Sequence, residues 1–288
     1  MQSEQLRGTY VDSRAGRVSF ADWAEDWLAS KPDKRASSLA RDRTALRTHI
    51  NPTLGHLPLT AITPVHVRGV VDAMRKSGLA PKSIRTYVGT LSAVFNAAVD
   101  ADLVSRTPVR GVYLETSKRR DRPTMTADEL FALAAEVPPR FRALVLTAGV
   151  MGLRWSEAIG LRVVDVNFLS RTMRVRQTVE EVGGQVRIVD ATKSDASRRS
   201  MAMPPTLVTE LATHLTVHRP DVAAQDLIFV GARGAVLRRH LLARILKPAA
   251  ERVGLPVGRR EGLDFHGLRH IATSLMVTTG EHPRIMQA

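Results

Sequence analysis

This sequence of 288 residues contains no cysteine, few aromatic residues and no long apolar run. The absence of cysteine excludes a disulfide framework, a thiolate metal site and a cysteine nucleophile. Aromatic residues make up only 5% of the chain, so aliphatic packing between helices should dominate the cores. No apolar stretch reaches the roughly 18 residues of a membrane-spanning helix, and the polar start MQSEQLRG is not a signal peptide. We therefore expect an intracellular chain with no membrane partner.

The charge balance is strongly basic. Lysine and arginine number 42 against 28 acidic residues, which gives a formal net charge of +14. The acidic residues are numerous, so the excess belongs to a globular chain and is not an isolated basic tail. Distributed cations favour a polyanion because binding releases counterions, and nucleic acid is the expected partner. A hydrophobic content of 44% is enough for cores in two domains.

The first part of the sequence predicts a polar tail and a helical domain. Residues 1–17 are polar, and residues 18–114 show four helical patterns, with Ser19 and Thr63 as N-caps and a stop at Gly78. The segment NPTLGHLPL, residues 51–59, predicts a turn-rich connection. Four helices in about a hundred residues form a compact domain. The cations on its polar faces that are candidates for DNA contact are Arg43, Arg47, Lys82 and Arg85.

A basic linker follows at residues 115–125, ETSKRRDRPTM. Its charge and its proline predict an exposed hinge between domains. A linker of this charge can also lie against a phosphate backbone, and its candidate contacts are Lys118, Arg119 and Arg120.

Residues 126–288 predict a mixed domain. A helix capped at Thr126 is followed by an apolar helical run through Leu161. Residues 171–190 then alternate around Gly183-Gly184, which predicts a β-hairpin, and RRSMAMP predicts a third short strand. Helical patterns return afterwards. The expected fold class is mainly α with a small antiparallel β-sheet (α+β).

Three separated places in this domain carry candidate chemistry. Arg154 lies in the middle of an expected amphipathic helix, residues 149–163, with Glu157 on the same face; a buried charge there is costly unless an anion meets it. Lys193 lies in the loop joining the second and third strands. His266 and Arg269 share a helix face at spacing i, i+3.

Each place also has an ordinary explanation. Arg154 and Glu157 can form a simple ion pair, and Lys193 can be one more loop lysine. His266 and His270 are spaced like the ligands of a helical zinc site, but Gly267 stands where a zincin helix has glutamate, and no further ligand is apparent. We therefore predict no metal site.

Taken together, the three places resemble the tyrosine recombinase family, which includes the phage integrases. GLRWSEAIGL is similar to the first arginine box of that family, ATKSDASRRS to its hairpin lysine segment and HGLRH to its His-x-x-Arg box. The resemblance covers about residues 18–288 and includes the order of core-binding domain, linker and catalytic domain. GTYVDSRAGRVSFADW resembles a junction found in some phage integrases, of the actinobacteriophage type, after an arm-binding domain. Residues 1–17 would then be the remnant of that junction, with the arm-binding domain absent.

The resemblance implies a site-specific recombinase that binds core attachment-site DNA and cleaves and rejoins strands through a 3′-phosphotyrosine. Arg154 and Arg269 would clamp the non-bridging oxygens of the scissile phosphate, because guanidinium forks match their geometry. Lys193 would be the general acid, His266 would assist at the same phosphate and Glu157 would orient the cluster. No cofactor is needed, since the covalent link stores the bond energy.

The family's nucleophilic tyrosine is not found in this sequence. The three tyrosines are Tyr10, Tyr87 and Tyr113, all in the first part of the chain, and the segment that carries the family's tyrosine, after the His-x-x-Arg box, is not matched. We expect a truncated recombinase that cannot cleave alone and is monomeric here; the alternative is a catalytically dead relative that regulates by binding DNA. A type IB topoisomerase-like nicking enzyme is disfavoured by the compact helical domain and the VDSRAG junction.

The expected partners are double-stranded DNA and, for a complete protein, further copies in a dimer or tetramer. A directionality factor or a host DNA-bending protein would fit the same family. The expected location is the cytoplasm of a bacterial host cell, on DNA.

Overall fold

The computed structural model describes residues 17–115, 125–190, 199–257, 263, 265, 267–269 and 272. The chain divides into two compact units, Met1–Arg119 and Arg120–Ala288, each with its own hydrophobic core. It is mainly helical with small antiparallel sheets, which confirms the predicted fold class. Among these residues, no helix has both the length and the apolar character needed to cross a bilayer.

The regular elements in the described part of the first unit are helices. Its helices are α1 (Phe20–Ala29), α2 (Ala36–Thr44) continuing as a π-helix (Ala45–Ile50), α3 (Asn51–Leu54), a 3-10 turn (Leu59–Ala61), α4 (Pro64–Lys76) and α5 (Pro81–Asp100). The Ser19 hydroxyl accepts a hydrogen bond from the Asp22 main-chain N–H at 3.2 Å, so α1 begins at its predicted cap.

The prediction of a turn-rich connection at residues 51–59 is wrong for Asn51–Leu54, which are helical, and is confirmed for residues 55–58. The π-helix passes directly into α3, and a 3-10 turn follows after the intervening loop. Pro52 is the second residue of α3, and proline is tolerated in the first turn of an α-helix. Leu54 then enters the core fully buried, which favours the helical path.

Two contacts join α2 and its π-helical extension to α5. The carboxylate of Asp42 is buried, pairs with Lys34 and accepts a hydrogen bond from the Thr90 hydroxyl at 3.0 Å. The His49 and Tyr87 rings stack with their centroids 4.9 Å apart. These contacts hold the helices that carry Arg43, Arg47 and Lys82 next to each other.

The second unit combines helices with two antiparallel sheets. Its helices are α6 (Ala127–Glu136), α7 (Pro139–Met151), α8 (Trp155–Ala158), α9 (Pro205–His218) and α10 (Arg239–Arg252), with a 3-10 turn at Val163–Asp165. Its strands are β1 (Val166–Asn167), β2 (Thr172–Val175), β3 (Gln177–Val182), β4 (Gln185–Asp190) and β5 (Arg199–Ala202). The strand order is β1-β2-β5 in one sheet, and β3 pairs with β4 in the other.

Local signals place two of these elements as predicted. Thr126 and Glu129 form a reciprocal capping box at the start of α6, with the Glu129 carboxylate accepting the Thr126 N–H at 2.7 Å. Val182 pairs with Gln185, and the intervening Gly183 and Gly184 have φ values of 59° and 77°, which only glycine adopts easily. The predicted hairpin is confirmed.

An ion pair fixes the connection from α8 to β1. The buried Asp165 carboxylate accepts hydrogen bonds from the Arg162 main-chain N–H at 3.1 Å and from its Nε at 3.0 Å. The hydrogen bond to Asp165 raises the pKa of Arg162. The pair therefore stabilises the path that the chain follows from the arginine-bearing turn into the sheet.

Candidate active site

Arg154 lies in a turn between two helices, which corrects the sequence-based expectation of an arginine in the middle of one helix. Helix α7 ends at Met151 because Gly152 takes the left-handed conformation, with a φ of 62°. Arg154 is extended and serves as the N-cap of the short α8. The apolar pattern continues across the break because Leu153 and Ile159 are both buried, so periodicity alone did not reveal it.

Glu157 holds the arginine in this turn. Its Oε2 accepts the Arg154 main-chain N–H at 2.9 Å, and its Oε1 accepts the Arg154 Nη1 at 2.6 Å. The Glu157 side chain is only 4% exposed, whereas the Arg154 side chain is 54% exposed. The carboxylate is thus buried under a guanidinium that faces solvent.

Arg269 reaches the same carboxylate from a distant part of the sequence. Its Nη1 lies 3.9 Å from the Glu157 Oε2, and its side chain is 31% exposed. One buried carboxylate between two guanidiniums leaves the three groups with a net positive charge, beside solvent. Such an arrangement attracts an anion, and two guanidinium forks suit the oxygens of a phosphate.

Gly152 also allows the segment that carries Arg269 to approach. A Cβ placed on Gly152 would lie 3.1 Å from the Ala272 Cβ, 3.8 Å from the Arg269 carbonyl oxygen and 3.9 Å from its Cγ. Two features therefore favour glycine at this position, namely the left-handed turn and the close approach of the Arg269 segment.

A cleft of about 640 Å³ is lined in part by Arg154. The Trp155 and Phe265 rings meet edge to face in its wall, with centroids 5.2 Å apart. Arg239 and Lys247 of α10 contribute two further cations to the lining. Sequence analysis missed these two, because nothing in a helix with several cations distinguishes the ones that face a cleft.

Strand β3 packs against α8. The Gln177 side-chain amide donates to the Gly160 carbonyl at 2.9 Å in a buried contact. Strand β4 ends at Asp190, which pairs with Gln177, and β5 begins at Arg199, which pairs with Val175. The intervening residues, which include Lys193, lie outside the described residues, as does His266.

The predicted DNA contacts of the first unit have different surroundings. Arg43, Arg47 and Lys82 are exposed on α2, its π-helical extension and α5. The Arg85 guanidinium is also exposed, but it donates to the main-chain carbonyls of Leu114 at 3.4 Å and Glu115 at 2.7 Å. The linker candidates fall outside the described residues; they are Lys118, Arg119 and Arg120.

Two of the three tyrosines lie in the described part of the first unit. Tyr87 stacks on His49, and Tyr113 is 78% exposed just before the linker. Tyr10 lies outside the described residues. The sequence contains no tyrosine after residue 113.

Comparison with protein-family models identifies the class of this arrangement. The model of the phage integrase family matches residues 123–288, and that of the phage integrase central domain matches residues 20–112. Since the first match alone covers more than half of the chain, the protein belongs to the phage integrase family. It is therefore an enzyme of the tyrosine recombinase class by family.

Known proteins that are similar to this chain are also integrases. The integrase of Mycobacterium phage FRAT1 is 28% identical over 269 residues, covering 92% of this chain and 78% of that protein. The integrase of transposon Tn1549, solved with transposon right end DNA, has a TM-score of 0.78 at 16% identity, covering 94% of this chain and 90% of that one. A lambda integrase tetramer bound to a Holliday junction has a TM-score of 0.69 at 16% identity, covering 98% of this chain and 75% of that one. At such identities, the two solved structures establish the fold.

Proposed function

We propose that this chain is a site-specific DNA recombinase that recognises attachment-site core sequences. The observation that carries the proposal is the convergence of Arg154 and Arg269 on the buried carboxylate of Glu157. The net charge of +14 and the DNA complexes of the two similar integrases support duplex DNA as the substrate.

The two arginines bind the scissile phosphate. Negative charge increases on the non-bridging oxygens as the pentacoordinate transition state forms, and preorganised donors then act more strongly than in the ground state. Glu157 is a positioning residue, because its hydrogen bonds to both the main chain and the guanidinium of Arg154 fix where that side chain points.

Lys193 and His266 complete the proposed chemistry. In the family's reaction a tyrosine oxygen attacks phosphorus, the bond from phosphorus to the 5′ oxygen breaks, and Lys193 gives a proton to that leaving oxygen. His266 contacts the same phosphate or assists proton movement. The reverse attack by a 5′ hydroxyl on the phosphotyrosine rejoins the strand, so neither metal nor cofactor is required.

We infer that this sequence, tested as it stands, does not form the covalent intermediate. Both described tyrosines belong to the first unit, and Tyr87 is held against His49. Incubation with a suicide duplex, nicked near the cleavage position, followed by denaturing electrophoresis tests this inference. Any covalent protein–DNA band formed by this chain would refute it, and the Tyr10→Phe, Tyr87→Phe and Tyr113→Phe variants would then identify the residue.

In the first unit, Arg43, Arg47 and Lys82 are the proposed phosphate contacts, together with Lys118, Arg119 and Arg120 of the linker. Arg85 differs from them because its guanidinium already binds two main-chain carbonyls. Selection from a random duplex library should enrich an inverted core motif. Binding to that motif should weaken linearly in log K against log salt, with a slope of about −0.9 for each phosphate contacted. Failure to enrich a motif, with a flat salt response, would exclude the proposal.

Binding and chemistry can be separated with a version of the chain that carries the tyrosine segment of a related integrase. In that version, Arg154→Ala should lower the cleavage rate at least about hundredfold and leave DNA affinity within about threefold. Lys82→Ala should do the reverse. Equal losses of affinity and cleavage in both variants would contradict the assigned roles.

A regulatory DNA-binding protein without catalysis is the second candidate, since a net charge of +14 supports DNA binding whether or not strands are cut. Strand exchange by the extended version separates the two, because a recombinase site should become active and a degenerate one should not. The chain without that extension should be monomeric in solution by light scattering and should self-associate on DNA. Its proposed location is the bacterial cytoplasm, where a directionality factor or a DNA-bending protein would act with it.

A further inference from the structure

Two arginines hold residues 113–115, where the helices of the first unit meet the start of the linker. The Arg75 Nη2 donates to the Tyr113 carbonyl at 3.3 Å, and the Arg85 Nη2 donates to the Glu115 carbonyl at 2.7 Å and the Leu114 carbonyl at 3.4 Å. The Arg75 Nε also lies 3.8 Å from the Glu115 carboxylate. Three consecutive main-chain carbonyls are thus bound by guanidiniums from two different helices.

The two arginines are placed for this task by the ends of their helices. Arg75 lies in the last turn of α4, where Asp72 orients it through a hydrogen bond of 3.0 Å. Arg85 lies near the start of α5. Leu114 packs against the core of the first unit, and Arg75, Leu114 and Glu115 line a small pocket of about 270 Å³. The held segment is therefore part of the folded unit up to Glu115.

Contacts to carbonyls suit an anchor better than a phosphate contact. A guanidinium that donates to main-chain oxygens has to give up those hydrogen bonds before it can turn to DNA, and the carbonyls would lose their partner. Arg75 also has two carboxylates near it, which lowers its attraction for a phosphate. Neither constraint applies to Lys82, which is exposed one turn before Arg85.

We propose that Arg75 and Arg85 are positioning residues that anchor the start of the basic linker to the helical unit. The anchor sets the point from which the chain leaves towards the second unit. A shorter free linker reduces the conformational freedom that is lost when both units bind one duplex, so the anchor raises DNA affinity without contacting DNA. This consequence for DNA rests on the proposed function; the anchor itself does not.

Chymotrypsin provides a test that needs no DNA. The Tyr113 side chain is 78% exposed and available to the protease, while its carbonyl is held by Arg75. Arg75→Ala and Arg85→Ala should each raise the rate of cleavage after Tyr113 about fivefold, and the double variant more than about tenfold, because cleavage follows local opening. The fragment that ends at Tyr113 is quantified by mass spectrometry.

Arg68→Ala is the matched control, since Arg68 is an exposed arginine on α4 outside the anchor. It should leave the cleavage rate unchanged. Thermal unfolding by circular dichroism should show the same transition for all variants, which excludes general loss of the fold. Equal cleavage rates in the double variant and the parent, with the fold intact, would overturn the proposal.

The salt dependence of DNA binding distinguishes the anchor from a phosphate contact. Arg75→Ala and Arg85→Ala should weaken binding to the selected duplex about threefold and leave the slope of log K against log salt unchanged. Lys82→Ala should reduce that slope by about one. A slope reduced by about one in Arg85→Ala, with unchanged cleavage after Tyr113, would assign Arg85 to the DNA and refute the anchor. If no duplex binds at all, the proposed function fails, and the protease test still decides the anchor.

Discussion

The clearest test of the site's architecture is Gly152→Ala, because two separate effects of this change can be measured apart. An alanine at a φ of 62° costs about 1–2 kcal/mol in the left-handed conformation. Its Cβ would also lie 3.1 Å from the Ala272 Cβ, and such crowding typically adds about 1 kcal/mol or more. The expected loss of unfolding free energy is therefore about 2–3 kcal/mol.

Gly183→Ala measures the free-energy cost of the left-handed conformation alone, without the steric crowding. Gly183 lies in the same unit with a φ of 59°, and a Cβ there meets no atom within 4 Å. This variant should cost only the left-handed strain, about 1–2 kcal/mol. The additional loss of unfolding free energy in Gly152→Ala, relative to Gly183→Ala, then measures the steric cost of the close approach of the Arg269 segment.

Adding Ala272→Gly completes a double-mutant cycle. Removing the opposing methyl group should recover about 1 kcal/mol in the Gly152→Ala background, although the same change alone destabilises a helix. Unfolding in urea is followed by tryptophan fluorescence, with Trp155 reporting on the second unit. If Gly152→Ala and Gly183→Ala cost the same within about 0.5 kcal/mol, and no recovery occurs, the contact with Ala272 does not exist.

Four further variants test the buried polar and charged groups of the two units. Glu157→Gln should lower the unfolding free energy by about 1–2 kcal/mol, less than for a fully buried pair because Arg154 is half exposed; an unchanged urea midpoint would contradict this. Asp42→Ala should destabilise the first unit by about 2 kcal/mol, against about 1 kcal/mol for Thr90→Val, since it removes both the ion pair and the hydrogen bond. Burial lowers the pKa of His214 from its ordinary 6.5, so the unfolded chain takes up a proton first. Stability should therefore fall as the pH drops through 6.5 and lower, and His214→Gln should flatten that dependence in urea titrations at stepped pH.

The location of the anion site follows from charge and packing together. Arg154 and Arg269 are separated by more than a hundred residues in sequence, yet both reach one buried carboxylate. Burial of Glu157 is tolerable because two cations meet it, and the Arg154 side chain remains 54% exposed to solvent. Neither guanidinium could be held in this way by an exposed acidic residue, whose own position would fluctuate.

Local chemistry made several elements predictable. Ser19 and Thr126 supply side-chain acceptors to the first turns of their helices, and Gly183-Gly184 provides two residues that enter the left-handed region. These features act within four residues, so sequence alone contains all the information they need. The arginine box, the hairpin lysine segment and the His-x-x-Arg box of the second unit were likewise recognisable, because each is a short run of neighbouring residues and the three occur in the family's order.

The break at Gly152 and the role of Arg85 were not predictable in the same way. The apolar pattern passes through Gly152 without interruption, so it does not show that Gly152 takes the left-handed conformation that ends α7. The contact with Ala272 adds a second reason why this position has no side chain. Arg85 is an exposed arginine, as a DNA contact would be, but the carbonyls that it binds lie about 30 residues further along the chain. The sequence by itself determined the helical caps, the hairpin, the charge and the family motifs, because these depend on neighbours in the chain. Only the tertiary structure decided which charges meet and which glycine must lack a side chain, since those depend on segments that folding brings together.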